Sequence, residues 1–547
     1  MLALLILALA QAPSPAAQAP SIARLYKPGE ESVWVFEVDG KPIGHHASKY
    51  VGMDDLAGTR AHHFQGGYRL NTGGPGGIEA LSTGDLWTDD AGHPIRFVQQ
   101  ALTGVSYARV ELAVADKKGA AHVVQGPSAR DITVDIDPEA LLLANNYVSH
   151  IELAALLQPP GKDATVKMFS GTSLQSFVYT LKAKPDGYDD SLGETLRMAD
   201  GRLAEVDVAA AKLVIRRSSE HVDPIAIVPP DVAKPNPAFD AENVEIRHDD
   251  ATIAGTITKK KGAKGPFPAV FFVSGSGPQD RNGYSSGIDL GTHEILDRLT
   301  EKGFLVLRVD DRGTGGSSAM PPDASFTDLI ADARACVQFL EKREDVDPKR
   351  IAVIGHSEGG ETAPILAEDR GIAAIVLLAA PGRSILEIVA DQNRLALTKQ
   401  GLGKDDIEKQ MAGVRAFLAK LASDEAIDAS KASEEEMTAI ASRKWFQSHA
   451  KRDPIATIKE VKCPVLILQG ATDFQVSPEK DAAALEAALK EAKNPDHELK
   501  VFAGLDHLFK KSPGQTSELQ DYWKSRPIDP GFLDALGTWL EKRLLAK

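Results

Sequence analysis

A serine flanked on both sides by glycine is the first candidate for chemistry in this sequence. Residues 355–359, "GHSEG", match the pattern G-x-S-x-G, follow the apolar residues "IAVI", and precede "GETAPILAED", which can be helical. A strand-to-helix turn of this kind needs glycines because its backbone is strained and the strand and helix approach closely. Ser357 is therefore a candidate nucleophile, although a chain with 46 glycines can also contain the pattern as an ordinary tight turn.

A serine hydroxyl becomes a nucleophile at neutral pH only beside a general base, which an acid orients. Where a serine of this pattern is catalytic, the acid and then the histidine follow later in the chain, each at the end of a strand. Asp473 lies three residues after the glycine that closes "PVLILQG", and His507 lies in the loop after "LKVFAG". We therefore predict Ser357, Asp473 and His507 as nucleophile, acid and base.

Each partner of Ser357 also has an ordinary interpretation. Asp473 fits a helix cap or a turn, and His507 fits a surface histidine. Asp506 competes with Asp473 for the role of acid because it directly precedes His507. We favour Asp473, since adjacent side chains seldom point at each other.

Attack on a carbonyl also requires donors for the oxyanion that forms. One donor is expected from the residue after the nucleophile, so we predict the backbone N–H of Glu358. The second is expected from a loop after an early strand, and "VSGSGPQDRNG" follows the apolar stretch "AVFFV". We choose Ser276, with Gly275 and Gly277 as close alternatives; a flexible turn fits the loop equally well.

The elements that must position these residues form a strand and helix alternation over residues 241–547. Near-continuous apolar runs are typical of parallel strands that are covered on both faces. These runs are "AVFFVSG", "GFLVLRVDD", "RIAVIGH", "AAIVLLAA", "PVLILQG" and "LKVFAG". We predict a doubly wound, mostly parallel α/β sheet. Residues 383–459, rich in Ala, Glu, Lys and Leu, are too many for a simple crossover and indicate an inserted helical cap.

The sequence before this region alternates with period two between Gly, Asn and Asp turns, which is typical of antiparallel strands with one solvated face. We predict a β-rich (α+β) accessory domain over residues 20–221. Helical spacing breaks this rhythm over Pro138 to Gln158. Residues 222–240 contain several prolines and predict an extended linker, with the domain boundary near Pro235.

The first nineteen residues resemble a secretory signal peptide. "LALLILALA" is an apolar run followed by proline and small residues, although no Lys or Arg precedes it. We expect export to the periplasm or the medium, with cleavage near residue 19; an apolar terminal tail is the alternative. No cysteine follows the run to accept a lipid anchor.

Composition excludes several classes of protein. A 43% hydrophobic and 25% charged chain of 547 residues is typical of globular proteins with more than one domain. The net charge of -15 opposes binding to nucleic acids or anionic lipid surfaces, and no internal apolar run is long enough to span a membrane. Two cysteines, Cys336 and Cys463, exclude a disulfide framework.

Several segments together resemble a known family. The segments are "FFVSGSGPQDRNG", "LVLRVDDRGTGGSS", "IAVIGHSEGGETAP", "PVLILQGATDFQV" and "GLDHLF". They are similar to bacterial α/β-hydrolase esterases of the dienelactone-hydrolase and serine-aminopeptidase branches, over roughly Val244 to Leu544. The resemblance implies Ser357 as nucleophile, Asp473 as acid, His507 as base, and a small-molecule ester as substrate. It implies no metal or organic cofactor.

Other functions stay open. A cap of this length also fits a serine peptidase, and relatives of the family cleave thioesters. A protein of another class would use the β-rich domain to bind an envelope component and carry a vestigial hydrolase domain. A metal site at His45-His46 or His62-His63 is disfavoured because neighbours on one strand point to opposite faces. We expect structural ion pairs for Arg281 and Arg312.

Overall fold

The computed structural model describes residues 20–545 except 57, 73–77, 105, 126–127, 228–235, 250, 286, 322, 429–433 and 515. The predicted signal peptide and residues 228–235 of the predicted linker therefore lie outside the described residues. Contacts divide the chain into one unit of residues 1–103, 107–124 and 130–229 and a second unit of the remaining residues.

The first unit is a long meander of strands. The strands are β1 (Glu31–Val38), β2 (Lys41–Leu56), β3 (Thr59–Thr72), β4 (Ile78–Thr88), β5 (Pro94–Thr103), β6 (Ser106–Ala115), β7 (Lys118–Gln125), β8 (Ser128–Asp135), β9 (Leu141–Leu143), β10 (Ala164–Ser170), β11 (Ser176–Lys184), β12 (Gly187–Asp190), β13 (Thr195–Ala199), β14 (Arg202–Val208) and β15 (Leu213–Ser218). They form one sheet in which consecutive strands pair, except β8 and β9, which are its two edge strands, and β1 and β15 pair antiparallel. Two helices, α1 (Ile22–Leu25) and α2 (Val148–Leu156), complete this unit in the described residues.

The period-two alternation of apolar and polar residues accounts for the one buried face of these strands. Trp34 and Phe36 on β1 are buried, whereas their neighbours are partly exposed, so one face of the strand packs into the core. The helical spacing over Pro138 to Gln158 is only partly correct, because Leu141–Leu143 form a strand that pairs in parallel with β10. Asn146 has a left-handed backbone with φ 62° and separates that strand from α2. Both the strand β9 and the helix α2 are largely buried, and together their apolar residues gave the helix-like spacing in the sequence.

The second unit contains the six predicted apolar strands, which are separated by helices, and four further strands at 239–248, 251–260, 284–285 and 288–289 that the apolar runs did not indicate. Its strands are β16 (Phe239–His248), β17 (Ala251–Lys260), β18 (Phe267–Val273), β19 (Tyr284–Ser285), β20 (Ile288–Asp289), β21 (Leu305–Val309), β22 (Val346–His356), β23 (Ala374–Leu378), β24 (Val465–Gly470) and β25 (His497–Phe502). Its helices are α3 (Thr292–Lys302), α4 (Phe326–Glu341), α5 (Gly359–Asp369), α6 (Ile385–Lys399), α7 (Lys404–Ala422), α8 (Glu434–Ala441), α9 (Arg443–Ala450), α10 (Pro454–Lys459), α11 (Ala483–Glu491) and α12 (Pro530–Leu544).

Eight of these strands form one sheet in the order β16-β17-β21-β18-β22-β23-β24-β25. From β21 to β25 all neighbours pair in parallel, and the first two strands pair antiparallel, which confirms the predicted doubly wound sheet. Neighbouring residues of one strand enter different cores, as Val353 and Ile354 of β22 do. Both faces of the sheet are therefore covered, and chemistry is confined to the strand ends.

Helices α6 to α10 lie between β23 and β24. Ser384 begins α6 with a reciprocal cap, in which its hydroxyl accepts from the Glu387 backbone and the Glu387 carboxylate accepts from Ser384. Leu418, Leu421 and Phe446 form a small apolar core within this helical segment, which we call the cap. The cap therefore has packing of its own in addition to its contacts with the sheet region.

Among the described residues, no helix combines the length and the apolar character that crossing a membrane requires.

Candidate active site

Ser357 occupies a strained turn between β22 and α5. Its φ is 52°, in the left-handed region that is unfavourable for a residue with a Cβ atom. The backbone N–H of Ser357 donates to Leu378 at the end of β23 over 2.8 Å, and its carbonyl accepts from Gly360 over 2.8 Å. Strain of this kind persists only when the surroundings enforce it and is common at functional sites.

The flanking glycines are required by close approaches. A Cβ atom on Gly355 would lie 2.0 Å from the carbonyl oxygen of Gly359, and one on Gly359 would lie 2.3 Å from the carbonyl oxygen of Val273. Gly275, in the loop after β18, approaches the serine itself, since a Cβ atom there would lie 3.1 Å from the Ser357 Cβ. The turn and that loop are therefore packed directly against each other.

His507 and Asp473 meet at the ends of the last two strands. Nδ1 of His507 lies 2.7 Å from Oδ2 of Asp473, and the two side chains are 3% and 0% exposed. The other oxygen, Oδ1 of Asp473, accepts from the backbone N–H groups of Gln475 and Val476 at 2.8 and 3.0 Å. This arrangement holds the imidazole with its proton on Nδ1 and leaves Nε2 to act as a base.

The competing acid, Asp506, serves a different purpose. It is fully buried, and its Oδ2 accepts from Arg526 over 2.6 Å. Its Oδ1 accepts from the backbone N–H groups of Leu508 and Lys510, both over 3.0 Å. These bonds shape the loop that carries His507, while the carboxylate that bonds the imidazole is that of Asp473.

Two further side chains support the pair and were missed by sequence reasoning. The amide of Gln469 donates to Oδ2 of Asp473 over 2.8 Å, and Nε2 of His356 donates to the backbone carbonyl of His507 over 2.9 Å. The His356 and His507 ring centroids are 4.8 Å apart, which brings the residue before Ser357 into contact with the candidate base. Burial, reinforced by the charge of His507, lowers the pKa of His356 to about 3 and keeps it neutral. A polar glutamine within the apolar run "PVLILQG" was the available signal for Gln469.

The loop after β18 contains the predicted second oxyanion donor. Ser276 is exposed and lines a cavity beside this loop. The loop is held by Asp311, whose carboxylate accepts from the Ser274 hydroxyl at 2.7 Å and from the Gln279 backbone at 3.0 Å. Burial raises the pKa of Asp311 to about 7, assisted by the charges of nearby carboxylates and opposed by these hydrogen bonds.

Glu358, the predicted first donor, directly follows Ser357 at the start of α5. The residue is 8% exposed, and its side chain turns toward the cap. Burial raises the pKa of its carboxyl to about 7, and the charge of Glu361 adds to this effect. A buried carboxyl next to the candidate nucleophile was not expected from the sequence, which pointed only to the backbone of this residue.

A cavity of about 550 Å³ lies next to this loop. Apolar side chains dominate its wall, and they include Ile253, Phe271, Val309, Met320, Leu329 and Trp445. Gly275 and Glu358, which neighbour Ser357 in space and in sequence, also line it. The cavity is large enough for an apolar substrate group and begins beside the candidate nucleophile.

The remaining candidates are structural. Arg281 pairs with Asp310 and Arg312 pairs with Asp332, each at 2.6 Å, as expected. In the first unit, His46 lies 3.1 Å from the Ser149 hydroxyl and His63 lies 2.7 Å from Asp85. Over the described parts of the chain, no three His, Cys, Asp or Glu residues are grouped so that they could hold a metal ion.

Comparison with known proteins places this region in a family. A family model described as serine aminopeptidase, S33, matches residues 289–511. Esterase EstD of Thermotoga maritima is 31% identical over 315 residues, which are 57% of this chain and 70% of that protein. Putative hydrolase YtaP of Bacillus subtilis is 32% identical over 119 residues, which are 19% of this chain and 40% of that protein.

A solved structure also aligns with part of this chain. The esterase Pf2001 of Pyrococcus furiosus aligns over 59% of this chain and 100% of its own, with 18% identity and a TM-score of 0.38.

Proposed function

Because this chain belongs to the α/β-hydrolase family that includes esterase EstD and the S33 serine aminopeptidases, we propose that it is a serine hydrolase that cleaves carboxylic esters. The observation that carries the proposal is the buried 2.7 Å contact between His507 and Asp473 at the ends of adjacent parallel strands. The strained turn of Ser357 supports it. Ser357 follows β22, which runs parallel to the strands that precede Asp473 and His507, and the carboxyl ends of parallel strands share one edge of the sheet.

The first half of the reaction forms an acyl-enzyme. Nε2 of His507 takes the proton of the Ser357 hydroxyl while Oγ attacks the ester carbonyl carbon. The backbone N–H groups of Glu358 and Ser276 stabilise the negative oxygen of the tetrahedral intermediate. When the intermediate collapses, the bond to the leaving oxygen breaks, and His507 donates its proton so that an alcohol departs.

The second half releases the acid. His507 removes a proton from water, and the resulting oxygen nucleophile attacks the acyl carbon. Collapse of the second tetrahedral intermediate breaks the bond to Oγ, and His507 returns a proton to Ser357. Asp473 stabilises the imidazolium and keeps Nδ1 protonated in both halves.

The ester substrate is proposed from the relatives and from the cavity. EstD is named an esterase, and the apolar wall next to Gly275 suits an apolar acyl group or alcohol. Cleavage of a peptide is a second candidate because the matching family model describes a serine aminopeptidase. Parallel assays with p-nitrophenyl acyl esters and aminoacyl p-nitroanilides separate the two, and we expect faster turnover of the esters.

A covalent probe tests the nucleophile. A fluorophosphonate should label the wild-type chain at Ser357, with peptide mapping to locate the adduct, and Ser357→Ala should abolish labelling. Ester turnover of that variant should fall by a factor on the order of 10⁴ or more. The matched control is Ser173→Ala, an exposed serine of the first unit, which should behave as wild type. Ester hydrolysis at the wild-type rate by Ser357→Ala would refute the assignment.

A further inference from the structure

The cap contacts the residue that follows the candidate nucleophile through one face of a single helix. Trp445 and His449 are four residues apart on α9 and therefore lie on the same face. Their rings meet edge to face with centroids 5.0 Å apart. Both interact with the Glu358 carboxyl, Trp445 through a hydrogen bond and His449 through its charge. The cap thus holds the side chain of the residue whose N–H is the proposed oxyanion donor.

His449 is buried between two carboxyl groups. Its Nε2 lies 3.0 Å from Oε1 of Glu361, and its Nδ1 lies 3.7 Å from Oε2 of Glu358. The histidine is 2% exposed, and its ring stacks on Phe326 of α4 at a centroid distance of 4.2 Å. Both nitrogens therefore face a carboxyl oxygen, which is the environment that an imidazolium with two donors requires.

His449 and Glu358 face each other without forming a hydrogen bond. Neither Nδ1 of His449 nor Oε2 of Glu358 has a hydrogen-bond partner among the described residues, although both atoms are buried. The two atoms face each other just beyond hydrogen-bond distance. A buried polar atom without a partner is unfavourable, and a charge attraction between these two compensates for it.

We propose that His449, as an imidazolium between Glu358 and Glu361, is a positioning residue. Through it, the packing of α9 of the cap against α5 keeps the backbone N–H of Glu358 aligned in the oxyanion site. This inference rests on the proposed function. Loss of the proton would leave two buried carboxyl groups of one helix end facing a neutral ring. The repulsion between them would loosen α9 and the residue after Ser357 together.

The charges around His449 support this coupling. Burial opposes its protonation, but the hydrogen bond and charge of Glu361, with the charge of Glu358, outweigh burial and raise the pKa of His449, against a smaller opposing effect of Arg452. On Glu358 the acting charges are those of His449, Glu361 and Asp311. Because the pKa of His449 is raised, its imidazolium persists to a higher pH than that of an ordinary histidine and is lost as the pH rises through that raised value.

The test measures ester turnover against pH for His449→Gln and Glu361→Gln. We expect kcat of His449→Gln to fall about tenfold to a hundredfold with KM changed less than threefold, since a displaced oxyanion donor weakens the transition state more than substrate binding. Wild-type kcat should decline on the alkaline side as His449 loses its proton. In Glu361→Gln this decline should begin about one pH unit lower, and in His449→Gln it should be absent.

Matched controls are available on the same unit. Glu368 is exposed on the helix that carries Glu361, and His497 lies on β25, so Glu368→Gln and His497→Gln should keep the wild-type kcat and alkaline decline. Glu361→Gln changes few atoms and remains informative if His449→Gln folds poorly. An alkaline decline that is identical in wild type, His449→Gln and Glu361→Gln would overturn the inference, even if kcat or Tm fell.

Labelling rates separate this inference from the proposed function. If the fluorophosphonate labels wild-type Ser357 and labels His449→Gln and Glu361→Gln equally fast, the inference fails and the proposed function stands. A wild-type chain that is not labelled at Ser357 overturns the proposed function and this inference with it. Slower labelling of both variants at an unchanged labelling rate of the controls supports the coupling.

Discussion

The two sides of Ser357 are built differently. On one side, which we call the base side, His507 and Asp473 lie at strand ends, and each oxygen of Asp473 has partners among the described residues. On the other side, the oxyanion side, Asp311 is partly buried and Glu358 is buried, and the pKa values of both carboxyl groups are raised to about 7. Both oxygens of the Asp473 carboxylate accept hydrogen bonds, whereas Oε2 of Glu358 has no hydrogen-bond partner among the described residues.

This difference fits the different requirements that the two sides would have in a serine hydrolase. A base has to hold one tautomer and one orientation, which favours rigid strand ends and complete hydrogen bonding. The oxyanion side has to accommodate a substrate group in the cavity, and it is formed by a loop and by the cap. The pKa values of its two carboxyl groups lie near neutral pH, so we expect changes of pH and of cap packing to affect this side before the base side.

The largest effect is expected on the base side. Asp473→Asn should lower kcat by about 10⁴-fold because an amide in place of the carboxylate no longer stabilises the imidazolium or the Nδ1–H tautomer. Its Tm should change little. Asp506→Asn provides the contrast, since it breaks a buried pair with Arg526 and should lower the free energy of unfolding by about 3 kcal/mol or more. Steady-state kinetics and thermal unfolding of both variants measure the difference, and equal kinetic losses would remove the distinction between the two acids.

The turn that contains Ser357 should not accommodate a side chain at position 359. An added Cβ atom would lie 2.3 Å from the Val273 carbonyl, so Gly359→Ala should cost about 1–3 kcal/mol and lower ester turnover at least tenfold. Gly371 has no atom within 4 Å of such a position, and Gly371→Ala should be neutral. Denaturant unfolding and turnover compare the two. Wild-type behaviour of Gly359→Ala would show that the turn is not close-packed.

On the oxyanion side, Asp311→Asn should have a smaller effect. The substitution places an amide donor among the Ser274 and Gln279 donors, which loosens the loop that contains Ser276. We expect kcat to fall about tenfold with little change in KM. Asp405→Asn, an exposed change on α7, is the control. A changed KM at constant kcat would assign Asp311 to substrate binding instead.

The smallest expected effect concerns stability against pH. The pKa of Glu358 is raised above its ordinary value of 4.5 to about 7, so its contribution to stability is complete below about pH 4.5 and is lost as the pH rises through 7. The wild-type Tm should therefore decline between these values, by a few degrees from this group. Glu358→Gln should show a shallower decline, while Glu194 and Asp311, with pKa values also near 7, retain part of it.

Thermal unfolding over pH 4 to 8 measures this effect, with the exposed Glu368→Gln as the control that should match wild type. Parallel curves for Glu358→Gln and wild type would mean that Glu358 does not carry a raised pKa in the folded chain.

The two sides also differ in how far the sequence predicted them. The doubly wound sheet is confirmed, and Asp473 and His507 were chosen by their distance from strand ends, which is a local property. Their proposed roles await the variants above. His449 and Glu361 are 88 residues apart in the chain, and Ser274 and Asp311 are 37 apart, so no local pattern indicated either contact.

By itself, the sequence determined the β-rich character of the first unit, the six apolar strands of the second unit and their separation by helices, and the strand ends that carry the candidate triad. Periodicity and turn residues are encoded within short windows, which is why these features can be read without a structure. Only the tertiary structure decided that Asp506 bonds Arg526, that Gln469 supports Asp473, and that α9 brings a buried histidine to the residue after Ser357. Such contacts depend on how distant elements pack, and a side chain acquires its partners and its pKa only when that packing is complete.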